Sequence, residues 1–252
     1  MHYSTNRIMK NLPKIILGFL IIGAFGFSKT KKIKQPTKIL VFSATKGFRH
    51  KSIDAGKTAL LKMGSEKKWK VDTTEDATVF TTANLKQYGA VVFLNTTGNV
   101  LNDEQQIAFE KYIQAGGGFV GIHSATDTEY DWPWYNNLVG AYFESHPRPQ
   151  LALYNVVNKN HPSVDFMPDT LRRMEEIYNF KSFKKELVNV LITIDERSYT
   201  GGKMPGYHPI AWYHNYDGGR AFYTEWGHHP EAFTEPLFLQ HIYGAINWAL
   251  KK

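Results

Sequence analysis

The strongest constraint on the fold is an alternation of strand-like and helix-like segments in the first half of the chain. Strands are predicted at 38–44, 69–74, 88–95 and 119–123. Helical spacing covers 52–67, and Asn102 can cap a second helix that ends before the three glycines at 116–118. Strands that alternate with helices in this way predict a parallel sheet with helices on both faces.

The second half of the chain is less regular but stays in the same structural class. Strands are predicted at 150–157, 187–194, 209–213 and 220–226, with a closing helix at 237–250. The chain has 42% hydrophobic residues, and about 215 residues with that composition can bury one large core. We therefore predict a single α/β domain over 38–252.

The positive charge of the chain is confined to its beginning. The whole sequence has 30 Lys+Arg and 23 Asp+Glu, which gives a net charge of +7. Residues 1–37 hold seven of the basic residues and no acidic one, so 38–252 contains 23 of each sign. We expect no nucleic-acid partner, because a nucleic-acid binder carries its basic residues on the folded body.

The first 28 residues have the pattern of a signal peptide. Two lysines precede an apolar run of 13 residues, 15–27, and small residues stand at Gly26 and Ser28. A membrane-spanning helix needs about 20 apolar residues, so this run is short for one. We predict a signal peptide over 1–28, a lysine-rich linker over 29–37 and a periplasmic or secreted domain. The alternative is an uncleaved membrane anchor, which would be the domain's only contact with a membrane.

Because the chain has no cysteine, the chemistry of a site must come from other side chains, and histidines stand out at the predicted strand ends. They belong to the segments 45–50, 123–127, 142–147 and 227–231, and His208 stands at the start of a strand. Ligands of open α/β sheets bind at the carboxyl ends of the strands, so these segments predict one site. Neutral imidazoles with a carboxylate can hold a divalent metal ion. Histidine and carboxylate can also transfer protons without a metal, and the spacing leaves both alternatives open.

Six motifs, in order, resemble the ThuA-like (trehalose utilisation) family and extend over residues 38–251. They lie at 46–50 (KGFRH), 121–127 (GIHSATD), 138–147, 176–178 (EIY), 208–212 (HPIAW) and 219–228. The resemblance implies the class I glutamine amidotransferase-like fold, a flavodoxin-like three-layer α/β sandwich with a mostly parallel central sheet. It also implies a small-molecule carbohydrate ligand, such as a trehalose-like disaccharide or a keto-sugar.

Amidotransferases of this fold carry their nucleophilic cysteine in the pattern Gly-x-Cys-x-Gly, at a sharp turn between a strand and a helix. Here the turn reads Gly121-Ile122-His123-Ser124-Ala125, so a histidine stands in the place of the cysteine. A glutaminase reaction through an acyl-enzyme is therefore disfavoured. His123 becomes the central candidate.

Together, the strand ends and the resemblance predict one site. Its catalytic residues are predicted to be His123, His228, Glu176 and Asp127. Its substrate-binding residues are predicted to be Arg49, His50, His146, His208, Trp212 and Trp134, with the tryptophans as stacking surfaces for sugar. If a divalent ion such as zinc is the cofactor, its ligands are predicted to be His50, His123, His208 and His228. The predicted activity is hydrolysis or isomerisation of a sugar or keto-sugar derivative, and the alternative is a non-catalytic carbohydrate-binding or interaction module.

Overall fold

The computed structural model of the chain describes residues 1–3 and 37–251. Its strands, in chain order, are β1 (Lys38–Phe42), β2 (Lys70–Thr74), β3 (Ala90–Leu94), β4 (Gly118–Ile122), β5 (Tyr142–Ser145), β6 (Gln150–Val156), β7 (Thr170–Glu175), β8 (Asn179–Lys181), β9 (Asn189–Ile194), β10 (Pro209–Tyr216) and β11 (Gly219–Thr224). Its helices are α1 (Ser52–Lys67), α2 (Thr82–Leu85), α3 (Asp103–Gln114), α4 (Pro133–Val139) and α5 (Pro236–Ala249).

The central sheet has nine strands in the order β2-β1-β3-β4-β11-β10-β9-β6-β7. The five strands from β2 to β11 run parallel, as the alternation of strands and helices predicts. The remaining four, β10, β9, β6 and β7, extend the sheet by antiparallel pairs. Strands β5 and β8 form a separate antiparallel pair. The α/β fold with a flavodoxin-like parallel core is thus confirmed, and it carries an antiparallel extension.

Apolar side chains on the two faces of the sheet form two separate cores. Along β1, Ile39 and Val41 belong to one core, whereas Leu40 belongs to the other, because successive side chains of a strand point to opposite faces. Helices α1 and α5 cover the first face, with buried residues such as Leu60. Helices α3 and α4 cover the second, with residues such as Phe109. The result is the three-layer arrangement that the family resemblance implies.

The ends of α3 fix where β4 begins. At its start, the side chain of Asn102 accepts a hydrogen bond from the amide of Gln105, and the side chain of Gln105 accepts one from the amide of Asn102. After its end, Gly116 has a φ of +92°, a conformation that glycine adopts without strain. Strand β4 then starts at Gly118 and ends at Ile122, so His123 directly follows its carboxyl end.

The predicted signal peptide (1–28) and linker (29–37) fall almost wholly outside the described residues. Within the described ranges, no helix combines the length and the apolar character that crossing a membrane requires.

Candidate metal centre

Four side chains from distant parts of the chain meet at one edge of the sheet, and we call them the histidine–glutamate cluster. His50 follows β1, and His123 directly follows β4. Glu176 directly follows β7, and His228 follows β11. One ligand atom of each residue lies within 4.8 Å of the others. The parallel strands therefore supply the three imidazoles at their carboxyl ends, where such sheets bind ligands, and the antiparallel extension supplies the carboxylate.

His123 occupies a strained turn that directs its ring into the cluster. Its backbone φ is +50°, a left-handed conformation that disfavours a residue with a side chain by about 1–2 kcal/mol. Nδ1 of His123 lies 2.6 Å from the carbonyl oxygen of Glu225, so Nδ1 is the donor. Burial lowers the pKa of His123 to about 3. The ring is therefore neutral at pH 7, with its lone pair on Nε2.

The carboxylate of Glu176 lies among the three imidazoles. Its Oε2 is 3.0 Å from Nδ1 of His228, 3.4 Å from Nε2 of His123 and 3.9 Å from Nε2 of His50. Burial acts to raise the pKa of Glu176, but the three surrounding imidazoles outweigh it and hold the pKa well below its usual range. Glu176 is therefore a buried carboxylate that stays ionised.

These distances and protonation states fit a divalent cation. The Nε2 lone pair of His123 faces the ionised carboxylate of Glu176 at 3.4 Å, and Nδ1 of His228 lies 3.2 Å from the same Nε2 and 3.0 Å from the carboxylate. Electron-pair donors that converge in this way can share one cation. Ligand atoms about 2.0–2.1 Å from a tetrahedral zinc ion are about 3.3 Å from one another. The separations of 3.0 and 3.4 Å from Glu176 are close to this value, and the separation of 3.9 Å to His50 is longer. The four residues could therefore hold zinc or a similar ion.

Neighbouring groups orient the imidazoles. Oγ of Ser124 lies 3.3 Å from Nδ1 of His50, and the ring of Tyr178 lies 4.4 Å from the ring of His123. In His50 and His123, Nδ1 is thus bound by an oxygen outside the cluster, while Nε2 points inward. Metal-ligating histidines commonly show this arrangement, because the outer hydrogen bond fixes the tautomer and the orientation of the ring.

Two further predicted residues, Asp127 and His146, lie beside the cluster. Nδ1 of His146 is 3.2 Å from Oε1 of Glu176, and the side chain of His146 is 40% exposed. Asp127 accepts a hydrogen bond of 2.7 Å from the hydroxyl of Tyr130. Burial raises the pKa of Asp127, although the hydrogen bond from the Tyr130 hydroxyl acts in the opposite direction. The site therefore combines an ionised central carboxylate with a second carboxyl that is protonated more easily.

Arg49 and His208, which the sequence predicts for substrate binding, make their contacts elsewhere. Arg49 donates two hydrogen bonds, of 2.8 and 3.0 Å, to Glu75. His208 is also a predicted metal ligand, but its Nε2 lies 2.8 Å from the carbonyl oxygen of Tyr178 and its Nδ1 lies 2.9 Å from Glu196. Because both ring nitrogens are occupied, His208 has none to offer an ion. The four-ligand group contains a glutamate in its place.

The two tryptophans predicted to stack on sugar make their contacts with other parts of the protein, Trp212 fully buried and Trp134 partly buried. Trp212 is fully buried, and its Nε1–H donates to the carbonyl oxygen of Val139 at 2.8 Å. Trp134 stacks on Trp132 with ring centroids 5.0 Å apart, and its Nε1–H donates to Asp217 at 2.9 Å. These contacts give both rings a packing role in the structure.

Besides Ser124, three contributors to the site are not among the predicted residues. Glu225 takes part through its backbone carbonyl, which no side-chain pattern can reveal. Tyr178 and Phe48 place their rings against His123 and His50, at centroid distances of 4.4 and 4.9 Å. Both stand inside motifs noted in the sequence, EIY and KGFRH, and their position in those motifs is the signal that points to them.

Comparison with known proteins agrees with this architecture. The family model described as trehalose utilisation, ThuA, matches residues 38–249. A solved structure of a protein described as ThuA-like from Bacteroides uniformis shares 25% identity and a TM-score of 0.73, and the match covers 86% of this chain and 92% of that one. A second, from Parabacteroides merdae, shares 21% identity and a TM-score of 0.70, covers 86% and 90%, and supports the fold alone. No curated protein matches the chain significantly.

Proposed function

The chain belongs to the ThuA (trehalose utilisation) family, and on this premise we propose that it is a metal-dependent enzyme acting on a sugar or keto-sugar derivative. The observation that carries the proposal is the convergence within 4.8 Å of four side chains, His50, His123, Glu176 and His228. Three imidazoles and a carboxylate are a donor set typical of zinc and similar ions. An ion held there would polarise a substrate carbonyl or activate water, which suits hydrolysis or isomerisation.

We assign proton transfer to Asp127. Burial raises its pKa, so its carboxyl releases and takes up a proton closer to neutral pH than an exposed aspartate does. Glu176 is shifted the other way by its three imidazoles and stays ionised. Two carboxyl groups whose environments move their pKa values apart commonly divide the acid–base and electrostatic roles of a site. The half-exposed His146 would accept a hydrogen bond from a substrate hydroxyl at the same edge through Nε2, because its Nδ1 faces the oxygens of Pro147 and Glu176.

The proposed substrate is uncharged and rich in oxygen, and the proposed location is outside the cytoplasm. The family description names a disaccharide, and the equal numbers of acidic and basic residues in 38–252 give no excess charge that would attract an anion.

The proposed location depends on the predicted signal peptide. Sequencing the N-terminus of exported protein tests it: a start near residue 28 supports cleavage, and an intact residue 15 contradicts it.

The decisive test of the metal assignment compares wild-type protein with Glu176→Gln, using Glu144→Gln at an exposed carboxylate as the matched control. We expect elemental analysis to find about one divalent ion per wild-type chain. Turnover of trehalose-type disaccharides or their 3-keto derivatives should stop on addition of a chelator. Glu176→Gln should lose most of the ion and of the turnover, because a neutral amide replaces the anionic ligand, whereas Glu144→Gln should keep both.

Active wild-type protein without an ion, or Glu176→Gln with full ion content, would contradict the metal assignment. Sugar binding without turnover in the ion-loaded protein would instead support a carbohydrate-binding module.

A further inference from the structure

Phe48 is an exposed aromatic residue next to the histidine–glutamate cluster. It is 65% exposed, and within residues 1–3 and 37–251 it is the only phenylalanine or tryptophan among the exposed large apolar side chains. Its ring meets the ring of His50 edge to face, with centroids 4.9 Å apart and an angle of 83°. His50 itself is 4% exposed. A ring that contacts this buried residue and is itself open to solvent lies at the mouth of the cluster.

The backbone around Phe48 is held on both sides. The amide of Gly47 donates to Oγ1 of Thr97 at 3.2 Å, and that hydroxyl donates to the carbonyl oxygen of Phe48 at 3.0 Å. On the other side, Arg49 is fixed by its two hydrogen bonds to Glu75. Single exposed apolar residues are common on protein surfaces, but this one is presented by a loop whose conformation is set before any ligand arrives. Such preorganisation lowers the entropic cost of binding.

We propose that Phe48 is a stacking surface for a pyranose ring and that it makes the site prefer cyclic sugars to open-chain polyols. This inference rests on the proposed function, because the sugar would occupy the same site. The C–H groups on one face of a pyranose form an apolar surface that packs on an aromatic ring, whereas its hydroxyl groups need polar partners. His146 and Asp127, beside the cluster, are such partners.

The test uses calorimetry to measure the binding of two probes to the full chain after incubation with zinc. Trehalose has rigid rings, whereas sorbitol has hydroxyl groups but no rigid apolar face. Wild-type protein should bind trehalose more tightly than sorbitol. Phe48→Ala should bind trehalose roughly tenfold more weakly with unchanged sorbitol affinity, and Phe48→Trp should keep the preference. Ile107→Ala, at an exposed apolar residue on α3, is the control and should behave like wild type.

Metal content, measured on the same samples, separates this inference from the function on which it rests. Weaker trehalose binding by Phe48→Ala, with an unchanged ion content, supports the stacking role. Phe48→Ala that binds trehalose as tightly as wild type overturns it, and so does wild-type protein that binds trehalose no better than sorbitol. Wild-type protein that holds no ion while Phe48→Ala still loses trehalose affinity would overturn the metal assignment and leave the stacking role in place.

Discussion

The histidine–glutamate cluster can be compared with a second group of buried histidines, His161 and His241, which we call the inner histidine pair. His123 of the cluster and both members of the inner histidine pair are buried. Burial lowers the pKa of His123 to about 3, that of His161 to about 3 and that of His241 to about 4. By this measure alone, His123 cannot be told apart from the inner histidine pair.

The partners of the inner histidine pair are different. The ring of His161 lies 4.4 Å from that of Tyr213 and 5.6 Å from that of Phe222, which in turn lies 5.4 Å from the ring of His241. In the part of the chain that the structure describes, Nε2 of His161 and Nε2 of His241 have no hydrogen-bond partner. A strongly lowered histidine pKa therefore indicates only that the histidine is buried. A candidate metal site is indicated instead where ring nitrogens of several histidines meet at one carboxylate.

The largest effect is expected in acid, where the inner histidine pair and His123 should act alike. A histidine whose pKa is lowered by folding stays neutral in the folded protein, while the unfolded chain binds a proton below its ordinary pKa of 6.5. Stability is therefore complete above pH 6.5 and falls by about 1.4 kcal/mol per pH unit for each such histidine as the pH decreases towards 4. Urea denaturation of metal-free protein across this range measures the slope of stability against pH. His241→Leu should reduce that slope by about 1.4 kcal/mol per pH unit, the contribution of one histidine.

The slope is the appropriate readout, because replacing a buried imidazole also changes packing and shifts the stability at every pH. A slope for His241→Leu equal to that of wild type would show that His241 is charged in the folded protein.

The next effect in size concerns ion affinity. Loss of an outer partner alone weakens metal binding by about 10–100-fold, so His228→Ala, which removes a ligand, should weaken zinc binding by at least about 100-fold. His161→Ala is the matched change in the inner histidine pair and should leave zinc affinity unchanged. Competition with a chromophoric chelator measures both, and an equal loss in the two variants would remove the distinction between the groups.

In each group, the hydroxyl of a neighbouring serine lies next to Nδ1 of one histidine. Oγ of Ser124 lies 3.3 Å from His50, and Oγ of Ser163 lies 2.8 Å from His161. Ser124→Ala should weaken zinc binding by about tenfold, because His50 loses the partner that orients its ring. Ser163→Ala should lower the free energy of unfolding by about 1 kcal/mol and leave zinc affinity intact. If Ser163→Ala weakened zinc binding and Ser124→Ala did not, the roles assigned to the two serines would be reversed.

The smallest effect is in the backbone. His123 has a φ of +50°, whereas His241 lies inside α5 and is not among the described non-glycine residues with positive φ. In metal-free protein, His123→Gly should be more stable than His123→Ala by about 1 kcal/mol. At position 241, glycine should be less stable than alanine by about the same amount, because it lies within a helix. Thermal denaturation of the four variants should show opposite signs, and equal signs would argue against strain at His123.

The parallel half of the sheet could be predicted from the sequence largely because its inner strands β1, β3 and β4 are buried on both faces and read as apolar runs. Helix α1 spans the predicted range 52–67, and the predicted strand at 88–95 contains β3 (Ala90–Leu94). Strand β7 could not be predicted, since its inward-facing residues Arg173 and Glu175 are charged and form a buried ion pair of 2.8 Å. Such a strand has polar side chains where the pattern requires apolar ones.

The same limit applies to the candidate site. His123 could be predicted because it directly follows a recognisable strand, and the motif at 176–178 pointed to Glu176. The exclusion of His208 from the cluster could not be predicted, because the orientation of its ring depends on hydrogen bonds with Tyr178 and Glu196. Those contacts exist only once β8 and the segment after β9 have packed together.

The positions of the four cluster residues along the chain also affect how the protein unfolds. Successive members, His50, His123, Glu176 and His228, stand more than 50 residues apart along the chain. An ion bound to all four would tie the parallel half of the sheet to its antiparallel extension as a removable cross-link that closes long loops. Neither half could then open fully without breaking a coordination bond. In the ion-loaded protein, release of the ion and full unfolding of the chain would share one slow step. The lifetime of the folded protein would then depend on the rate of that step as well as on the equilibrium free energy of unfolding.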